Sequence, residues 1–212
     1  MLAYQSCKSI SIFMSMPKVE VQTEAIMQAA LEAGKQVFIP YIYKTASSSG
    51  TEGSSTMDML QLRDMDDYKS LKPDKWGIPS IDAKNVNERT NAFGTLGLTN
   101  GLPMTLKGSG LDVILMPGMA FDTERNRLGH GKGYYDNFLS RYHLSLPEHN
   151  EHSRKPFLST NIPPVPTPCL FRPDMVAVGL ALKDQMLPSN HRIPTEPWDC
   201  PVDTVLFGDK VL

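Results

Sequence analysis

SISIFMSMPKVEVQTEAIMQAALEAGKQVFIP, Ser9–Pro40, decides the fold. Its first part alternates around Ile10, Ile12 and Met14, which predicts a strand over Ser9–Ser15 in a chain that turns to strand almost from its first residue. Thr23 can then cap a helix, with Glu24 in its first turn and Gly34 at its end. Ile26, Ala29, Ala30 and Ala33 would share one face of that helix. Lys35–Pro40 reads as a second strand. A strand-helix-strand order implies a parallel sheet, because crossovers between parallel strands run through a helix.

Further along, LDVILMPG (Leu111–Gly118) is a nearly unbroken apolar run, as expected of a strand covered on both faces. DMVAVGLAL (Asp174–Leu182) and DTVLFG (Asp203–Gly208) read as later strands. Together these predict an α/β fold, a three-layer arrangement of a mostly parallel sheet with helices on both faces, in a single domain over 1–212. Thr45–Ser55 has the composition of a flexible loop, and a mixed region follows it up to Gly110. Residues 143–173 hold seven prolines and read as a surface insertion. His149 and His152 at its start have metal-like spacing but lie in a polar loop without nearby cysteines, so a metal site is not expected there.

A net charge of −2, from 21 basic and 23 acidic side chains, argues against a broad nucleic-acid or membrane surface. Any basic site must be local. Cys7, Cys169 and Cys200 are odd in number and widely spaced, which speaks against a disulfide framework or zinc site and for a reducing compartment. The expected location is cytoplasmic; a mitochondrial address would need sequence upstream of Met1.

RLGHGKGYYDNF (Arg127–Phe138) places three glycines around a lysine, directly before a helix predicted to run to Tyr142. Glycines let main-chain N–H groups approach an anion, and a helix start adds unpaired donors and a positive dipole end. Lys132 adds a mobile charge. The spacing is neither that of a P-loop nor that of a dinucleotide fingerprint. The segment therefore reads as a phosphate cradle of another kind, or as a structural turn. Asp136 suits the helix dipole, or Mg²⁺ beside bound phosphates.

MPGMAFD followed by RLGHGKGYYDNFL resembles the signature of the 5-formyltetrahydrofolate cyclo-ligase family, also called methenyltetrahydrofolate synthetases. Ile10–Thr23, KWGIP around Trp76 and PVDTVLF near the end resemble further family elements. The similarity spans most of Cys7–Phe207, apart from the serine-rich loop and the proline-rich insertion. It implies a Rossmann-like sheet of the kind seen in sugar-phosphate isomerases and CoA-transferases. It also implies ATP-dependent closure of 5-formyltetrahydrofolate to 5,10-methenyltetrahydrofolate, through phosphorylation of the formyl oxygen, by a monomer using ATP and Mg²⁺.

By the same resemblance, Arg127, Leu128, Gly129, His130, Gly131, Lys132, Gly133, Tyr134 and Tyr135 would hold ATP. Met14, Glu20 and Trp76, with His130–Tyr134, would face the folate, and Asp136 and Asp203 would hold Mg²⁺. Lys132 and Tyr134 would serve the reacting centre. Read alone, Glu20 is a solvated loop acid, Asp203 a strand-edge residue, Met14 a core residue and Trp76 a loop-anchoring aromatic.

The sequence departs from the family in three places. The family's basic N-terminal helix is missing ahead of YQSCKSISIF; Tyr41 follows FIP where relatives often carry a basic residue; His130 stands where they often have arginine. Each departure lowers positive charge at the expected phosphate site. Two alternatives therefore stay open beside the cyclo-ligase: a weakly active or non-catalytic folate- or nucleotide-binding member, and another enzyme on a related fold, such as a sugar-phosphate isomerase.

Overall fold

The structure is a computed structural model and describes residues 2–45, 54–102, 104–145, 175–196 and 199–212. Most of the serine-rich loop lies outside these residues, as do the proline-rich segment from 146 onward, His149, His152 and Cys169.

The chain opens with a short helix, α1 (Leu2–Ser6), which carries no basic residue, before β1 (Ser9–Ser11). The strand starts at Ser9 as expected but ends at Ser11 rather than Ser15, and a helix stands where the chain was expected to turn to strand almost from its first residue. After Ser11 only the Ile12 amide still bonds the neighbouring strand, at Phe38 O, and the chain then turns toward the next helix. That helix, α2 (Glu24–Glu32), begins after Thr23, but the Thr23 hydroxyl does not cap it. The hydroxyl donates to Phe13 O at 2.7 Å and so fixes the turn between β1 and α2. Gly34 ends the helix at φ +70°, with Gly34 N donating to Leu31 O and Lys35 N to Ala30 O, a Schellman closure. The buried face is Met27 and Ala30, flanked by Ile26 and Leu31; Ala29 and Ala33 face outward, contrary to expectation.

β2 (Gln36–Lys44) pairs parallel with β1 and antiparallel with β3 (Ser55–Leu62). It continues through Pro40 because residues 38 and 40 point their backbone groups toward β1, which has already ended there. β3 lies in the region read as mixed. Its alternation is broken by Asp58, a fully buried carboxylate. After it come α3 (Met65–Ser70), the small hairpin β4 (Lys72–Pro73) and β5 (Pro79–Ser80), then β6 (Val113–Met116). β7 (Ala120–Phe121) and β8 (Arg127–Leu128) form a second hairpin ahead of α4 (Tyr134–Leu144). The chain closes with β9 (Val176–Ala181), β10 (Thr204–Phe207) and β11 (Lys210–Val211).

The main sheet has seven strands in the order β11-β10-β9-β6-β1-β2-β3. The five inner strands are parallel and both edges antiparallel, so the expected mostly parallel α/β sheet is found. All four residues of β6 are buried, as its composition predicted. From β1 the chain moves to β2 on one side, and from β6 to β9 on the other. Right-handed crossovers in opposite directions put α2 and α4 on opposite faces and open a crevice between the carboxyl ends of β1 and β6.

α4 is anchored at its far end. Phe138 and Tyr142 pack with Phe93 at centroid distances of 5.4–5.8 Å. Arg141 Nη1 meets Asp58 Oδ1 at 3.1 Å and Thr99 Oγ1 at 2.8 Å, while Thr99 N and the Tyr43 hydroxyl donate to Asp58 Oδ2. Burial, with the Asp58 charge adding to it, pushes the Tyr43 hydroxyl up to about 12. This network holds the helix against the edge of the sheet and fixes where its N-terminus points.

Candidate active site

The crevice is lined by the loop after β1, the loop after β6 and the start of α4. In the first loop, Glu20 Oε2 accepts from Met16 N at 2.7 Å, and Gln22 Nε2 donates to both Met16 O and Glu20 O. The loop is thus folded around its own carboxylate. Burial raises the Glu20 carboxyl above its ordinary value; the Met16 amide and the nearby His130 pull the other way. Met14 is buried at 7% exposure and stands as a core residue at the base of this loop.

The glycine segment carries the second wall. Gly131 and Gly133 adopt φ of +71° and +62°, conformations open to glycine without steric cost. Gly133 occupies the N-cap position and has no side chain with which to cap. Asn137 N, on Gly133 O at 2.9 Å, is the first amide bonded within the helix. The Tyr134, Tyr135 and Asp136 amides come before it, at the positive end of the dipole. A Cβ at Gly131 would meet nothing within 4 Å, so the turn faces open space. His130 and Lys132 are exposed on that turn, and Tyr134 is half-buried. The turn thus leaves three main-chain amides at an open helix start.

Arg127 has a different place. Its side chain is 7% exposed and turned into the protein. Nη2 lies 3.2 Å from Asp136 Oδ2, Nη1 donates to Pro117 O at 3.4 Å, and the guanidinium lies 5.3 Å from the Tyr135 ring centroid. It joins the carboxyl end of β6 to the first turn of α4. Tyr135 is buried, and its hydroxyl is pushed up by burial; Arg127 opposes that shift and the Glu20 charge adds to it. Glu20, His130, Tyr135 and Arg127 therefore share one small electrostatic neighbourhood.

Trp76 and Asp203 are carried by other elements. Trp76 is 61% exposed on the β4–β5 turn, which reaches the first loop: a Cβ at Gly77 would stand 3.3 Å from Pro17 Cγ. It is not the buried anchor that a lone aromatic suggested. Asp203 is not brought to Asp136. Its Oδ2 accepts from Ala177 N at 2.7 Å, and Ala177 lies level with Ile114, three residues short of Pro117. That is about 10 Å toward the amino edge of the sheet. Among the described residues no group of three His, Cys, Asp or Glu forms a metal cage.

Sequence reading missed two supports. Gln185 donates to Gly118 O and accepts from Leu182 N, both at 2.8 Å, tying the tip of β9 to the loop after β6. Phe121 is clasped between Gly118 and Gly179, where added Cβ atoms would come within 2.7 Å and 2.5 Å of its ring. Only the glycines themselves could have signalled that contact. A cavity of about 400 Å³ opens nearby, at the carboxyl ends of β9 and β10, lined by Val21, Leu180, Leu182, Lys183 and Leu206.

A model of the 5-formyltetrahydrofolate cyclo-ligase family matches residues 1–157. A probable 5-formyltetrahydrofolate cyclo-ligase of Schizosaccharomyces pombe is 30% identical over 212 residues, covering 99% of this chain and 79% of that one. A 5-formyltetrahydrofolate cyclo-ligase of Mus musculus is 33% identical over 208 residues, covering 98% of this chain and 76% of the other. A solved 5,10-methenyltetrahydrofolate synthetase from Mycoplasma pneumoniae superimposes with a TM-score of 0.46 at 12% identity, over 94% of this chain and 73% of that one. With a glycine turn at the switch point of its sheet and sequence likeness along nearly its whole length, the chain belongs to the 5-formyltetrahydrofolate cyclo-ligase family.

Proposed function

We propose that the protein closes 5-formyltetrahydrofolate to 5,10-methenyltetrahydrofolate at the expense of ATP, releasing ADP and phosphate. The observation that carries this is the open glycine turn at the start of α4, with three amides ahead of the first helical bond, facing a partly buried carboxylate across the crevice. One wall suits polyphosphate and the other suits the N–H-rich edge of a pterin.

The chemistry needs no protein nucleophile. The formyl oxygen attacks the γ-phosphorus and ADP leaves. N10 then attacks the activated carbon, N10 loses its proton, and the C–O bond breaks to release phosphate. The protein's part is positioning and charge stabilisation. Lys132 and the amides of Gly131–Asp136 would hold the phosphates. Glu20 would accept from the pterin, and Tyr134 would pack beside the reacting groups. Arg127 would act on ATP through the placement of α4. His130, exposed beside Glu20, would contribute charge on the same side.

Mg²⁺ on the nucleotide fits the donor set. Such ions use one or two carboxylates besides phosphate oxygens. Asp136, 28% exposed in the first turn of α4, offers one. The ion would neutralise phosphate charge there. Asp203, held at the other edge of the sheet, is proposed as a structural residue.

Formation of the methenyl product, followed by its absorbance with ATP and 5-formyltetrahydrofolate present, tests the reading. ATP-dependent product supports it. Binding of both compounds without product would leave a folate- and nucleotide-binding protein in its place.

A further inference from the structure

We infer that Gln185 is a positioning residue for the ATP side of the site: it locks the corner after β6 from which the glycine turn is hung. This rests on the function proposed above and adds to it a residue that touches neither substrate.

β9 ends at Ala181, and the chain closes at once into a single 3-10 turn, Lys183–Gln185, with Gln185 N on Leu182 O at 3.0 Å. The turn brings the Gln185 carboxamide between two main-chain groups of opposite kind. Leu182 N donates to its Oε1 and Gly118 O accepts from its Nε2, each at 2.8 Å. An amide answers both at once. Methionine has no N–H to offer, and an ionised glutamate would set a second acceptor against the Gly118 carbonyl.

Gly118 is the middle of a corner, Pro117–Met119, in which each residue is tied. Pro117 O takes Arg127 Nη1 at 3.4 Å, Gly118 O takes Gln185, and Met119 N donates to Leu128 O at 2.7 Å. Gly118 is also closed in by packing: an added Cβ would stand 2.7 Å from the Phe121 ring and 3.1 Å from Arg127 Cγ. Leu128 is followed directly by Gly129, so two hydrogen bonds lead from Gln185 to the first glycine of the turn.

The residues after Gln185 hold the same hairpin in register. Met186 bridges to Phe121, and Leu187 N donates to Phe121 O at 2.8 Å. β7 is thus carried by the chain leaving β9 and itself carries β8. None of these bonds reaches the loop after β1, where Glu20 is folded in. Loss of the Gln185 amide should therefore be felt at the glycine turn and spare the wall opposite.

The test measures Kd by titration calorimetry, and KM, for ATP and for 5-formyltetrahydrofolate, with Mg²⁺ present and the full chain. Gln185→Met should raise both ATP values about fivefold, the scale of one lost hydrogen bond, and leave both folate values within about twofold of the parent's. Gln185→Glu should raise the ATP values further, because its carboxylate faces a carbonyl oxygen. Val205→Ala, buried in β10 away from the glycine turn, is the control: its melting temperature should fall while its ATP values stay with the parent's. Unchanged ATP values in both Gln185 variants, a loss shared equally with the folate, or the same ATP loss in Val205→Ala overturns the positioning role and leaves Gln185 a stabilising residue. Failure of both Gln185 variants to fold at the assay temperature overturns it likewise. A parent that binds ATP but forms no product removes the cyclo-ligase reading, and the ATP Kd values still decide for or against Gln185. A parent that binds no ATP rejects both.

Discussion

Arg127 Nη2 stands 3.2 Å from Asp136 Oδ2, and the same guanidinium reaches Pro117 O at the end of β6. One buried cation thus ties the central strand to the helix that follows the glycine turn. Arg127→Lys keeps the charge but cannot serve the carboxylate, the carbonyl and the Tyr135 face together. It should lower kcat/KM for ATP nearly as far as Arg127→Ala. If steady-state kinetics give the lysine variant most of the parent's activity, Arg127 touches phosphate directly.

Lys132→Ala removes the one lysine of the turn. A charge-assisted bond to phosphate is worth roughly ten- to hundredfold in rate or affinity. The loss should fall on ATP, with folate KM within about twofold of the parent. Unchanged ATP kinetics would remove Lys132 from the phosphate site.

The two aspartates should separate. Asp136→Asn should raise the Mg²⁺ concentration needed for half-maximal rate, because a hard cation prefers the charged oxygen. Asp203→Asn should leave that titration in place. Its effect should be a loss of about 1 kcal/mol in urea unfolding, since its Oδ2 holds the Ala177 amide where β9 begins. A magnesium shift in the Asp203 variant would show that both carboxylates serve the metal.

How much of this was legible in the sequence depended on whether partners were near in the chain. β6 could be read because its four buried residues are consecutive and apolar, and the glycine turn ahead of α4 because its glycines and its helix adjoin. β3 escaped because Asp58 interrupts its pattern, and the groups that make that carboxylate tolerable, Arg141 and Thr99, come 83 and 41 residues later. Thr23 was read as a cap from local spacing, yet its hydroxyl serves Phe13 O ten residues earlier. Arg127 was assigned to ATP by family resemblance; that its side chain turns inward depends on Pro117 and Asp136 together.

Acid should weaken the fold through Asp67. Burial raises its carboxyl, but the two 2.6 Å bonds from Arg89 and the Arg63 amide more than offset this, so the folded value lies below the ordinary one. A depressed carboxyl stabilises the fold above its unfolded pKa, about 3.9, and that contribution fades as pH falls below it. Asp67→Asn should therefore lower the unfolding free energy at pH 7 more than at pH 3. Equal losses at both pH values would mean that the ion pair contributes nothing through charge.

Glu20 carries the opposite sign, and its consequence is for binding. Burial raises its carboxyl in the folded chain, the Met16 amide and His130 only partly opposing this. The ionised form is the one that can accept pterin N–H groups, and Met16 N already occupies one oxygen. As pH falls from neutral, Glu20 should take up its proton earlier than a free glutamate, above about 4.3. The folate KM should accordingly climb in mildly acid solution, before ordinary carboxylates titrate, while ATP affinity changes less. Glu20→Gln should have a raised folate KM at pH 7 and should lose that acid limb, since nothing is left there to protonate. His130 lies in the same neighbourhood, so His130→Gln belongs in the same series as a control. An acid limb that survives in Glu20→Gln would take the pH response away from this carboxylate and leave Glu20 as a brace for its own loop.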